Sequence, residues 1–129
     1  MNIASFDPEN ALHKDSQSIQ PDDVNRVIDH AGDIWNKFKA SRPLKRFIND
    51  AGNMISLVRD YWNGTYRDTP AYVFYAIVAA LLYVFNPADF LPDFIPFVGL
   101  IDDAMIIAAC LMVAEKDIEK YMAWKKAEG

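Results

Sequence analysis

The chain is poor in the residues that build covalent or metal-ligated frameworks. It has a single cysteine, Cys110, inside an apolar run. One thiol excludes a disulfide framework and a Cys-based zinc site within one chain, and its surroundings suit a buried, inert side chain. There are only two histidines, His13 and His30, far apart in sequence, for which a surface or packing role is expected. The chain also lacks a basic surplus. Its net charge of −5 disfavours a nucleic-acid partner, because phosphate binding needs a basic face. Residues 1–20 have no basic stretch followed by an apolar core, so no secretory signal is expected. No internal repeat and no strand-like alternation stand out.

What is present is helical periodicity. Residues 1–20 are polar and aperiodic and read as a flexible N-terminal tail. From Pro21 onward, Val24, Val27, Ile28, Ala31, Ile34, Trp35 and Phe38 recur at steps of three and four, one apolar face of a helix. Pro21, Asp22 and Asp23 suit its first turn, where proline wastes no N–H and carboxylates meet the positive dipole end. Ser41-Arg42-Pro43 breaks the run. A second amphipathic helix follows through Leu44, Phe47, Ile48, Ala51, Ile55, Val58, Tyr61 and Trp62, with Gly64 as its left-handed terminator. Two amphipathic helices are therefore expected over 21–68.

The segment 69–114 differs in kind. Thr69 is expected to cap a helix with Pro70 at its first position. Ala71 to Phe85 then carries no charge at all, and a helix apolar all round is buried in protein or lipid. The aromatics Tyr72, Phe74, Tyr75, Tyr83 and Phe85 are read as packing residues. After an irregular stretch, Ala104–Ala114 is a second uncharged run. A polar C-terminal helix is expected over 115–129.

Charge is distributed unevenly along the chain. Residues 1–68 hold nine Lys/Arg and ten Asp/Glu, and residues 114–129 hold four of each. Residues 69–113 hold four Asp and no base: Asp89, Asp93, Asp102 and Asp103. Carboxylates in the most apolar third of a chain must reach water, a helix N-terminus, a basic side chain or a cation. Helix capping together with pairing to an Arg from the first two helices is the first reading. An oxygen-only site for a hard cation such as Mg²⁺ is the second, since Asp89 and Asp93 are four apart and Asp102 or Asp103 would fold back on them. General acid–base catalysis ranks below both, because no nucleophile or histidine accompanies the carboxylates. No catalytic residue and no cofactor is assigned.

The run from Tyr83 through Asn86, Pro87, Asp89, Pro92, Asp93, Pro96 and Gly99 to Asp102 and Asp103 resembles the YkvA-like family, a bacterial domain of unknown function. The family's pattern is Y-x-x-[SN]-P-x-D-[LF]-[IL]-P-D-x-[IL]-P-x-[LVI]-G-x-[IL]-D-D, and each fixed position is met. The resemblance implies a small helical protein, membrane-associated, with no established activity. It says nothing about residues 1–68.

The expected fold is all-α, a small helical bundle with a central apolar helical hairpin around a Pro/Asp-rich turn. Pro87 should open a short helical turn, Pro92 and Pro96 should lie outside helix interiors, and Gly99 should sit in a tight turn. Ala71–Phe85 and Ala104–Ala114 should then run antiparallel, bringing Ala76, Ala79, Ala80 and Tyr83 against Ile107, Ala108 and Leu111.

A fifteen-residue helix spans about 22 Å against a bilayer core of about 30 Å, so neither run is a single span. A shallow or re-entrant hairpin is expected instead. The basic residues Arg59 and Arg67 before it, and Lys116, Lys120, Lys125 and Lys126 after it, would put both ends on the cytoplasmic side. The expected function is non-enzymatic membrane association, with membrane lipid or a helical protein as partner. A soluble, cytoplasmic helical interaction module and a metal-dependent protein using the Asp cluster are the alternatives.

Overall fold

A computed structural model describes residues 19–86 and 103–128. Within them the chain forms six helices: α1 (Pro21–Asp29), α2 (Ala31–Ala40), α3 (Arg42–Lys45), α4 (Ile48–Trp62), α5 (Ala71–Phe85) and α6 (Asp103–Glu128). No strand occurs among the described residues, and the fold is a small all-α bundle.

Helix α5 is the axis of this bundle. The helices α1, α2, α4 and α6 all pack on it, and α6 does so most extensively. From Val73 to Val84 every side chain except the half-buried Tyr75 is buried. The absence of charge over 73–84 is thus explained by protein on all sides. Each fully buried Val, Leu, Ile or Phe contributes roughly 1.5–3 kcal/mol relative to exposure. At its N-terminal end Phe74 stacks on Tyr61 of α4 at a centroid distance of 4.0 Å and lies 6.1 Å from Trp62.

The two apolar helices pair as expected. Lys120 meets Asp68 just before α5, Cys110 Sγ approaches the Ala76 carbonyl at 3.7 Å, and Phe85 and Asp103 are the facing ends. Residue numbers rise along α5 as they fall along α6, so the two helices run antiparallel. Two of the expected contact residues also border a surface groove. Ala108 and Leu111 are half-buried and border a groove against Phe47 and Asp50, while Cys110 faces α5. A rotation of one residue, about 100°, separates the two faces.

Several local expectations are corrected. The single helix expected from Pro21 is interrupted at His30, which ends α1 and begins α2 with φ −108° and ψ 22°. The hydrogen bonds from His30 N to Arg26 O and from Ile34 N to His30 O continue the helical pattern across it. The apolar phase therefore survives, and Val24, Val27, Ala31, Ile34 and Phe38 all reach the core. The interruption at Ser41 is followed by the one-turn helix α3 before α4 begins.

Pro70 itself takes the cap position of α5, its carbonyl accepting from Val73 N (3.0 Å) and Phe74 N (3.1 Å), and Thr69 makes no side-chain cap. The run 104–114 and the polar C-terminal segment are one helix, α6, because no Pro or Gly interrupts them. Gly64 is left-handed as expected, with φ 87°. The expected 1–20 tail lies outside the described residues up to residue 18, as do the calls on Pro87, Asp89, Pro92, Asp93, Pro96, Gly99 and Asp102.

Candidate functional site

Of the motif residues, the described ones mark the two ends of the hairpin. Tyr83 is buried in α5, Asn86 ends that helix with its N–H donating to Leu82 O at 2.8 Å, and Asp103 occupies the first turn of α6. Whether the four carboxylates cluster therefore turns on residues outside those described. Among the described residues no group of three or more His, Cys, Asp and Glu is placed to hold a metal ion.

The distinctive chemistry at this end of the bundle is basic. Residues 37–46 contain Lys37, Lys39, Arg42, Lys45 and Arg46 and no acid. Lys37 Nζ donates to the last carbonyls of α5, those of Val84 (3.1 Å) and Phe85 (2.9 Å). This is the negative pole of the helix dipole, where an ammonium is favoured. His30 stacks on Phe85 at 4.7 Å beside it. Helix α3 packs on α6, and Phe47 just beyond it lines one depression with Ala108 and Met112 in the first half of that helix. The basic segment thus borders the point where α5 ends and α6 begins. Lys39, Arg42, Lys45 and Arg46 are exposed, and none makes an ion pair with a described carboxylate; Arg46 lies over the Phe47 ring at 4.7 Å.

The opposite end carries a polar latch. Tyr121 OH donates to Asp60 Oδ2 at 2.5 Å, so Ser56 Oγ, also 2.5 Å away, donates to Tyr121. Lys125 donates in turn to Ser56 and lies 3.8 Å from Asp60. Burial, then the bond to Asp60, holds the Tyr121 phenol above its ordinary range. The chain of bonds ties α6 to α4. The buried Cys110 thiol is pushed up to about 12 by desolvation and is no nucleophile.

Comparison with known proteins places this architecture. The family described as "Protein of unknown function (DUF1232)" matches residues 73–109. The chain is 30% identical over 81 residues to "Uncharacterized membrane protein YkvA" of Bacillus subtilis (strain 168), covering 63% of this chain and 76% of the relative. The chain belongs to the YkvA-like family. No solved structure matches it significantly. The family match covers nearly all of α5, the Pro/Asp segment and the start of α6. The basic segment 37–46 lies outside the family match, in helices that cover the hairpin, and the latch joins one of those helices, α4, to the part of α6 beyond the match.

Sequence reasoning did not single out either feature. The five bases without an acid are visible in the sequence, but their place at the α5–α6 junction is a tertiary fact. The latch has a weak signal: Ser56/Asp60 and Tyr121/Lys125 are each four apart, on one face of their helices.

Proposed function

We propose that this YkvA-like protein is a non-enzymatic, membrane-associated protein that binds the anionic cytoplasmic leaflet peripherally, through its basic end. The observation that carries this reading is the exposed cluster of Lys39, Arg42, Lys45 and Arg46, with no acid partner among the described residues. Each such side chain near an anionic leaflet contributes about 1 kcal/mol, so four supply a useful affinity. The name of the Bacillus relative supports a membrane setting. Among the described residues no helix is long and apolar enough to cross a bilayer. Because α5 is enclosed by four helices, its apolar surface serves the protein core, and attachment through the basic surface is proposed in place of the expected shallow or re-entrant hairpin of 69–114. The same enclosure favours the helical interaction module as the second reading.

Co-flotation of the full chain with vesicles tests the proposal. Binding to phosphatidylglycerol-containing vesicles, weak binding to pure phosphatidylcholine, and release as salt rises are the expected results. The triple charge reversal Arg42→Glu, Lys45→Glu and Arg46→Glu should weaken binding by at least about tenfold, since the lost attraction exceeds 1.4 kcal/mol. Equal binding to both vesicle types, or no binding to either, overturns it.

A further inference from the structure

A second surface, adjoining the basic cluster at Phe47, has the opposite chemistry. Two adjoining depressions of about 290 and 270 Å³ lie between α4 and α6 and share Asp50, Leu111 and Glu115 in their walls. They form one groove running along α6 from Ala108 to Met122, about 21 Å at 1.5 Å per residue. Its apolar wall is built by Phe47, Leu111, Met112, Ile118 and Met122, and its charged wall by Asp50, Glu115 and Glu119. No base lines it.

The sequence of α6 matches this groove. Met105, Ala108, Met112, Glu115, Glu119 and Met122 follow steps of three and four, the spacing of a helix seam. This stripe is additional to the inward one of Cys110, Ala114 and Tyr121, which the core uses. Met112 is 72% exposed, the most exposed large apolar side chain among those described. Methionine is unbranched and polarizable, suited to a surface that accepts another helix.

We propose that the α4–α6 groove docks a cationic amphipathic helix of a partner protein. The groove's own charge selects the occupant. Asp50, Glu115 and Glu119 have no ion-pair partner among the described residues, and Asp50 is held above the ordinary carboxylate range by burial and then by Glu115. A cation between these carboxylates relieves that repulsion, whereas an anionic lipid surface or nucleic acid adds to it. Residues 1–18 and 87–102 of the chain itself do not complement the groove, since the first carry one Lys against three acids and the second three Asp and no base. A second copy is a poor fit for the same reason: the basic helices α2 and α3 bury Ile34, Phe38 and Leu44 in their own core and have no apolar face to lend. An occupant of about four turns presenting apolar residues to the methionines and Lys or Arg to the rim fills the groove. The groove and the basic cluster meet at Phe47, over which Arg46 lies, but they draw on different charged residues and different probes.

The test uses the full chain with labelled methionine methyls and two peptides of about fifteen residues, one amphipathic Leu/Lys helix and its Leu/Glu counterpart. The Leu/Lys peptide should shift the Met112 and Met122 signals saturably and leave the core residue Met54 unmoved, and the Leu/Glu peptide should not. Glu115→Lys should weaken binding about tenfold, and the charge-neutral Met112→Gln, at an exposed position that cannot unfold the protein, should weaken it several-fold. Equal response to both peptides, shifts confined to other surfaces, or affinity indifferent to both substitutions would show diffuse attraction to an acidic protein and overturn the proposal. Met112 shifts that follow protein concentration alone, with a dimer in sedimentation, would assign the groove to a second copy and overturn it as well.

Discussion

The two helices of the hairpin solve the same problem in different ways. Helix α5 is uncharged for fifteen residues and is enclosed by protein. Helix α6 begins as apolar as α5 but is covered on one side only, and its outer side carries methionines and carboxylates to solvent. Similar local hydropathy therefore accompanies two environments. What separates them is the number of neighbours that the rest of the chain supplies: α1, α2 and α4 all lie against α5, whereas α6 has α4, α5 and the single turn α3. An apolar run in a sequence states a demand for cover, and residues 21–62 meet that demand with protein.

The largest expected effect tests the enclosure. Phe74 is fully buried and packs against Tyr61, Trp62 and Tyr75. Phe74→Ala should cost about 3–5 kcal/mol of unfolding free energy in a denaturant titration, as a large core residue leaves a cavity. Met112→Ala on the outer side of α6 should change it by less than about 0.5 kcal/mol. Similar costs at the two positions would break the distinction between the helices.

A smaller effect probes how α6 is held along its polar half, where apolar burial thins out to Ile118 and Tyr121. Tyr121→Phe removes the hydroxyl that links Asp60 to Ser56 while keeping the ring against Tyr66 and Trp124. The expected cost is about 1–2 kcal/mol, because a charge-assisted bond is lost and Asp60 keeps only its distant lysine. In a double-mutant cycle the Tyr121→Phe and Asp60→Ala losses should not add, since each removes the same bond. Additive losses would mean the latch does not exist in solution.

Much of this was legible in the residues, and the failures have physical causes. The 3.6-residue period located the core faces of α1, α2 and α4, since burial is what that period records, while the uncharged run alone marked α5. It could not show the interruption at His30, because Val27, Ala31 and Ile34 keep their phase across it. The continuity of α6 was hidden by a change of environment after Ala114, which a reading by composition takes for a change of element. Antiparallel pairing of α5 and α6 followed from punctuation by proline and glycine alone. The basic end and the acidic groove were not foreseen as sites because each joins elements distant in sequence: Lys37 with Phe85, and Asp50 with Glu115.

The smallest effect sharpens the account of α6's outer face. Asp50 sits in the first turn of α4, where the helix dipole favours its charge, yet its carboxyl is raised, chiefly by burial and secondly by Glu115. A folded-state pKa above the ordinary 3.8 means that protonated Asp50 is the better-tolerated form in the fold. Its contribution to stability is then fully present below pH 3.8 and lost as pH rises through the folded value. Glu115→Gln removes the secondary cause alone. The Asp50 titration, followed by carboxyl carbon shifts, should move down but stay above 3.8, because burial remains. Stability at neutral pH should rise by no more than roughly 0.5 kcal/mol, since both groups reach solvent and water screens their repulsion. High salt should shrink the difference between the two proteins while leaving the residual elevation in place, as salt screens exposed charge but does not restore lost hydration. If Asp50 in Glu115→Gln returned fully to its ordinary value, repulsion across the groove would be the whole effect, and the Asp50 wall would be as open to water as the exposed face of α6 opposite.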